Sequence, residues 1–310
     1  MKFPRAIAPR AVTAAFTMIE IAICLAIIGF ALVAIIGVLP LGMNTQRDNR
    51  EETIINQDAT VLLEAIRSAA RGADDLTNSV FAITNYITHF NALGQPTVTD
   101  VAGYTYTAAS YNGSANSYYI TNAYRIIGLL STPEFTDGIR PIPSVIFGGY
   151  SNHVVAYVRA ISGLAAEKPP QDNQIMREDT LTYRLFCVNA PMSVDTNAFF
   201  LYPGWTAKAY AQNDRVFYSW NYWQATASTV ATDVPGQSSK WMKIPHYAFE
   251  AAANQRELRL SFLWPVLPNG KIGNGRQTFR ATIAGQLSPT NNYGQWLYFY
   301  QSQSFRTNTP

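Results

Sequence analysis

The sequence predicts an α+β protein: a long N-terminal helix able to cross a membrane, then a β-rich head carrying a small all-β insertion. Three observations predict it. The stretch AAFTMIEIAICLAIIGFALVAIIGVLPLG holds one ionisable side chain, Glu20. Beyond residue 76, short runs rich in Val, Ile, Thr and Tyr alternate with Gly, Pro, Asn and Ser, which is the pattern of strands and turns. Between 204 and 245, tryptophans and tyrosines crowd into a segment unlike its surroundings.

The helix comes first. From Ile21 to Met43 the chain runs 23 residues without a charge. At 1.5 Å per residue that spans about 35 Å, enough for a bilayer core of about 30 Å. Lys2, Arg5 and Arg10 precede the run, so the excess of positive charge at that end places the N-terminus in the cytoplasm and the body outside. A secretory signal peptide predicts a shorter apolar core with small residues after it. Here Ala14 and Ala15 come before the core. A carboxyl group at the edge of hydrocarbon costs about 2.5–3.5 kcal/mol on insertion scales, so Glu20 calls for a function.

Composition narrows the rest. At 310 residues the chain is long enough for a large core, and its charged fraction of 14% is low. Of 23 basic side chains, removal of the three in the leader leaves 20, against 20 acidic ones. A near-neutral body gives net charge no part in nucleic-acid binding. Cys24 reads as a small apolar filler of the membrane helix and Cys187 as a buried strand residue, too differently placed to pair.

Pro40 and Gly42 predict a bend or end of the membrane helix over 16–43, with a second, amphipathic helix over 44–75. Asn44 or Thr45 would restart it. Its apolar stripe is read as Ile54, Val61, Leu62, Ala65, Ile66 and Ala69, ending by Gly72 and Asp74-Asp75. Strands follow at 104–107, 117–121, 154–158 and 181–185, within a head formed by 76–203 and 246–310. The runs RLSFLW and TFRAT predict a late hairpin across PNGKIGNG, whose glycines lack the helix and lysine of a phosphate cradle.

Ala15-Phe16-Thr17-Met18-Ile19-Glu20 resembles the type III signal of type IV pilins and type II secretion pseudopilins. That resemblance implies cleavage of the 1–15 leader between Ala15 and Phe16 by a prepilin peptidase, then methylation of the Phe16 amine. The family usually has Gly where this chain has Ala15. It also implies a pilin-like head, and assembly through Phe16 and Glu20 into a pilus or secretion-type filament with other pilin or pseudopilin subunits. The new amine would pair with Glu20 of a neighbouring subunit and neutralise two charges in low dielectric. The stretch FALVAIIGVLPLGMNTQRDNREETI, with RLSFLWPVLPNGKIGNGRQTFRATIAG, is similar to the Verru_Chthon cassette proteins, particularly the B type, which supports the architecture rather than an activity.

Residues 204–245 resemble carbohydrate-binding modules of families 5 and 12, with Trp205, Tyr210, Asp214, Val216, Tyr218, Trp223, Ala225, Pro235 and Trp241 at matching spacings. Asn213 and Trp220 stand where that family commonly has glycine. Trp205, Tyr218 and Trp241 are expected in the module's core, and Trp220, Tyr222 and Trp223 on its surface as carbohydrate-binding residues. Two roles fit such a module, glycan binding and plain structural insertion.

His89, His153 and His246 are scattered, with no metal-ligand spacing and no nucleophile elbow, so neither a metal, a cofactor nor a catalytic residue is predicted. The reading is a non-enzymatic subunit, held in the inner membrane and then in a filament or on the cell surface, minor because a bulky head crowds a helical array. The alternative is a permanently anchored glycan-binding surface protein that never polymerises. An anchored enzyme is the third possibility.

Overall fold

The computed structural model describes residues 17–69, 76–97, 102–107, 117–119, 123–145, 148–162, 181–192, 202–219, 221–244, 247–292 and 294–305. Ala15, Phe16, Trp220 and His246 lie outside them. The chain divides between Thr53 and Ile54 into two units.

Helix α1, Met18–Arg67, is 50 residues long and is shared by both units. Among the described residues it is the one helix long and apolar enough to cross a membrane. Every side chain described from Met18 to Arg50 is exposed, Phe30 by 80%. The predicted interruption does not occur: α1 runs through Pro40 and Gly42, and no new helix starts at Asn44 or Thr45. Proline removes the one N–H that would bond the Ile36 carbonyl, while its fixed φ is itself helical, so a long ladder absorbs the loss. Arg47 and Glu51 then pair at 2.9 Å one turn apart, a spacing that supports a helix by about 0.2–0.5 kcal/mol.

In the second unit the last turns of α1 bury Ile55, Asp58, Ala59, Leu62, Ala65 and Ile66. The stripe therefore runs from Ile55, not Ile54, and Val61 is exposed. Steps of three and four from Ile55 explain both shifts. They also put a carboxyl group, Asp58, in the middle of an apolar face. The chain leaves the helix through Ala69, in the left-handed region at φ 56°.

A short helix α2 (Leu76–Ser79) leads into strands β1 (Val80–Phe90), β2 (Ala102–Thr107) and β3 (Ser117–Tyr119). Helix α3 (Ala123–Leu130) and the two-residue β4 (Phe135–Thr136) precede the long strands β5 (Gly149–Arg159) and β6 (Thr182–Pro191). Strands β7 (Arg215–Tyr218), β8 (Asn221–Ala225) and β9 (Trp241–Ile244) follow, then helix α4 (Tyr247–Asn254). The chain closes with β10 (Gln255–Val266), β11 (Ile272–Ala284), β12 (Gln286–Asn292) and β13 (Gln295–Gln301).

Among the described residues, β11-β10-β6-β5-β1-β2-β3 form one sheet in that order, with β4 on β5. Its pairs are antiparallel except β2 with β3. Alternation along β10 is complete from Arg256 to Trp264: Arg256, Leu258, Leu260, Phe262 and Trp264 are buried, and the residues between them face outward. The inner face meets Ile55, Leu62 and Ile66 of α1, Ile126, Ile127 and Leu130 of α3, and Leu297–Tyr300 of β13 in one core. Each large side chain fully buried there contributes about 1.5–3 kcal/mol. Cys187 is in that core, as expected of a strand residue, and Cys24 is exposed on α1.

The late hairpin forms as predicted, with Val266 opposite Ile272 across the glycine-rich turn. Its glycines serve the indole beside them. A Cβ on Gly275 would sit 2.5 Å from the Trp264 ring. Strand β1 carries its β-branched residues, Val80, Ile83, Thr84, Ile87 and Thr88, out of strict alternation, and the hairpin β12–β13 carries one, Thr290; neither is among the strands read from the sequence.

Candidate functional site

Two regions carry the predicted functional residues, the start of α1 and the 204–245 segment. At the helix start, the Thr17 carbonyl accepts the Ile21 N–H at 3.2 Å, which makes Thr17 the N-cap. The Thr17 backbone N–H and its hydroxyl both donate to Glu20 Oε2, each at 2.8 Å. Thr17 Oγ1 in turn accepts the Glu20 N–H at 3.3 Å. This is a capping box, in which the carboxyl three residues into the helix satisfies donors that the first turn leaves open. Glu20 thus has a local partner within its own chain. Cleavage between Ala15 and Phe16 would leave every one of these atoms in place.

The 204–245 segment folds around its own antiparallel sheet, β7-β8-β9. Tyr210, Val216, Ala225 and Trp241 are its buried centre, with Trp205 and Trp223 packed against them. Asn213 takes the left-handed conformation, φ 73°, and its side-chain oxygen accepts from Gln224 Nε2 at 3.0 Å. Trp241 is buried as expected, while Trp205 and Tyr218 are half-buried, edge to face at 5.1 Å.

Tyr222 corrects the surface expectation: it is 1% exposed. It lies directly opposite Phe217 in the β7–β8 ladder, so the two rings share a face and meet at 5.4 Å. Tyr202 closes on the same ring at 5.2 Å. The three make a second small cluster on the far side of a two-faced sheet, leaving no open Tyr222 ring for a sugar. Trp223 is half-buried on the opposite face, and its indole N–H donates to the Tyr218 carbonyl at 3.1 Å. Trp220 falls outside the described residues.

Asp233 ties the end of the segment together. Its carboxyl accepts from Lys240 Nζ at 2.8 Å, from the Val230 N–H at 2.9 Å and from Ser238 Oγ at 3.1 Å. The lysine bond first, then the backbone bond, hold its pKa below the usual aspartate range. The Trp241 indole N–H donates to the Asp233 carbonyl at 2.8 Å, which couples this polar knot to the buried centre.

Sequence reasoning missed a buried carboxyl that, among the described residues, gathers four hydrogen bonds. Asp58, fully buried on α1, accepts from the Ile161 N–H at 2.9 Å, the Ser162 N–H at 2.8 Å and Tyr183 Oη at 3.0 Å. The Ser162 hydroxyl bonds it as well. Burial first, and then Asp58 itself, push the Tyr183 phenol pKa well up, so this hydroxyl stays a donor. The signal was present in the sequence as an acid at a core-facing step of the helical stripe. Arg256 is similarly hidden. It is fully buried, donates to the side chain and carbonyl of Asn189 at 3.0 and 2.8 Å, and burial pushes its pKa down to about 10.

Two of the histidines make ring contacts. His153 is stacked on Tyr86 at 5.0 Å and tilted against Phe186 at 5.2 Å, and burial with the nearby Arg184 lowers its pKa. His89 meets Tyr150 edge to face. Among the described residues, no three His, Cys, Asp or Glu side chains converge to hold a metal.

No protein-family model, no curated protein and no solved structure matches this chain.

Proposed function

We propose that the protein is a non-enzymatic, pilin-like subunit, cleaved after Ala15 and assembled through its N-terminal helix into a type IV pilus or type II secretion-type filament, as a minor component. The observation that carries this reading is the uncharged, outward-facing stretch Ile21–Met43 of α1, just after the Thr17–Glu20 cap. Hydrocarbon-compatible side chains all round suit a segment that lies first in lipid and then among like helices. The junction Ala15-Phe16-Thr17-Met18-Ile19-Glu20 and the basic leader support the same reading.

In this account the protein waits in the inner membrane with its head outside the cytoplasm. The freed ammonium of Phe16 on an incoming subunit approaches Glu20 of a subunit already in place. The pairing neutralises two charges that would otherwise resist entering an apolar helix bundle, and it sets the axial register. Partners are the prepilin peptidase, the membrane and other pilin or pseudopilin subunits. The burial of Tyr222 favours a structural role for the 204–245 segment.

N-terminal mass analysis of the protein purified from its native membrane tests the reading. A mature chain beginning at Phe16, heavier by a methyl group, is the expected result. A chain that still begins at Met1 overturns it.

A further inference from the structure

Among the described residues, the large sheet ends at β11, and its outer edge pairs with no strand. The edge is long. Thirteen residues span about 44 Å at 3.4 Å per residue. An edge of this length offers a row of backbone donors and acceptors to any extended chain, and natural proteins commonly guard such rows with charge.

Here the guard has one sign. Arg276, Thr278, Arg280 and Thr282 alternate on the exposed outer face of β11, so the two arginines stand four residues apart on one side. Arg259 of β10 lies directly opposite Arg280 in the ladder, a like-charge pair that disfavours the sheet as it stands. Glu257 answers part of that charge, at 2.6 Å from Arg259 and 3.9 Å from Arg280. Arg259 and Arg280 therefore share one carboxylate, and Arg276 lies further along the same exposed margin. A second copy pairing edge to edge would set arginine rows side by side, which opposes self-association through β11.

We infer that β11 is an acceptor edge for an extended acidic segment of a partner protein, which adds as a further strand with its carboxylates beside Arg276 and Arg280. Main-chain hydrogen bonds supply affinity, and alternate side chains supply selectivity. The added strand brings carboxylates to Arg276 and Arg280 beyond the one that Glu257 supplies. The edge lies wholly in the second unit.

The test uses the full chain in detergent micelles and two synthetic peptides of alternating threonine and valine. One carries two glutamates four residues apart, the other two lysines. Binding is followed by fluorescence anisotropy and by amide hydrogen exchange across Ile272–Ala284. The glutamate peptide should bind and slow exchange on that strand, and the lysine peptide should not. The double variant Arg276→Glu/Arg280→Glu should weaken the glutamate peptide roughly tenfold and admit the lysine peptide. Should that variant misfold, Arg276→Thr/Arg280→Thr keeps a strand-favouring residue and reads the same loss. Equal binding of both peptides, binding without slowed exchange on β11, or no binding of the glutamate peptide overturns the inference.

Discussion

Asp58 and Tyr183 are joined by a hydrogen bond of 3.0 Å across 125 residues of sequence, and it anchors α1 to the middle of the sheet. Tyr183 stands on β6 among Val158, Leu185 and Phe262, and Asp58 on the buried stripe of α1. The buried carboxyl also gathers the part-buried Ile161 and Ser162 backbone donors. A buried donor left without its acceptor costs about 1–3 kcal/mol. Asp58→Leu should therefore destabilise the second unit by at least about 3 kcal/mol, and Tyr183→Phe by about 1–3 kcal/mol. Denaturant unfolding of the full chain in detergent measures both. A loss below about 1 kcal/mol for Asp58→Leu would show that the cluster is incidental.

The Thr17–Glu20 cap allows two roles of one carboxyl to be separated. Glutamine retains an oxygen that can close a capping box but carries no charge. Glu20→Gln should keep the helix start ordered and processing intact while impairing filament incorporation. Glu20→Ala should lose the cap too, at a local cost of about 0.5–2 kcal/mol. Shearing filaments from cells and quantifying the subunit reads assembly, and exchange of the Thr17 and Glu20 amides reads the cap. Full incorporation of the glutamine variant would remove charge pairing from the account and leave Glu20 a helix cap alone.

What was legible in the sequence had strong periodicity and local chemistry. RLSFLW and TFRAT alternate cleanly on either side of a turn, so β10 and β11 formed where expected. Asn213 stood where a left-handed residue was needed, and it takes that conformation. Tyr222 and Asp58 share one cause, that periodicity shows which residues share a face but not what lies beyond it. Tyr222 reads from the sequence as a surface residue, whereas Phe217 and Tyr202 enclose it on the face of the small sheet away from Trp241. Asp58 interrupts an apolar stripe, and its donors come from residues more than a hundred positions away. The pair Thr17 and Glu20 was legible as a cap from its spacing alone, yet the apolar surroundings of Glu20 drew the whole explanation toward a partner.

Gly128 on α3 marks a tight approach. A Cβ there would lie 2.8 Å from both Leu297 Cβ and Phe299 Cζ of β13. Alanine favours a helix over glycine by about 1 kcal/mol. Overpacking a well-filled core costs about 1–3 kcal/mol, so crowding should win. Gly128→Ala is expected to destabilise the head by up to about 2 kcal/mol and to disturb the Tyr124–Phe299 stack, whose rings are 4.0 Å apart. Shortening the neighbour, in Gly128→Ala with Phe299→Leu, should recover part of that loss relative to the sum of the single changes. Strict additivity in urea unfolding would argue against a steric origin.

Asp233 makes the stability of the 204–245 segment depend on pH. Its pKa is depressed in the folded chain, chiefly by the Lys240 bond and then by the Val230 N–H. A depressed carboxyl pKa contributes stability that is present above the unfolded value, about 3.9, and is lost as pH falls through the folded one. Asp233→Asn should therefore weaken the segment near neutral pH, and the gap to the unmodified protein should close as pH drops below about 3.9. The indole proton of Trp241, held at 2.8 Å on the Asp233 carbonyl, reports this site directly by NMR of tryptophan-labelled protein. Loss of that resonance at lower temperature in the variant, at neutral pH only, is the expected result. A difference that persists unchanged into strong acid would mean that Asp233 acts through packing, with no contribution from its charge.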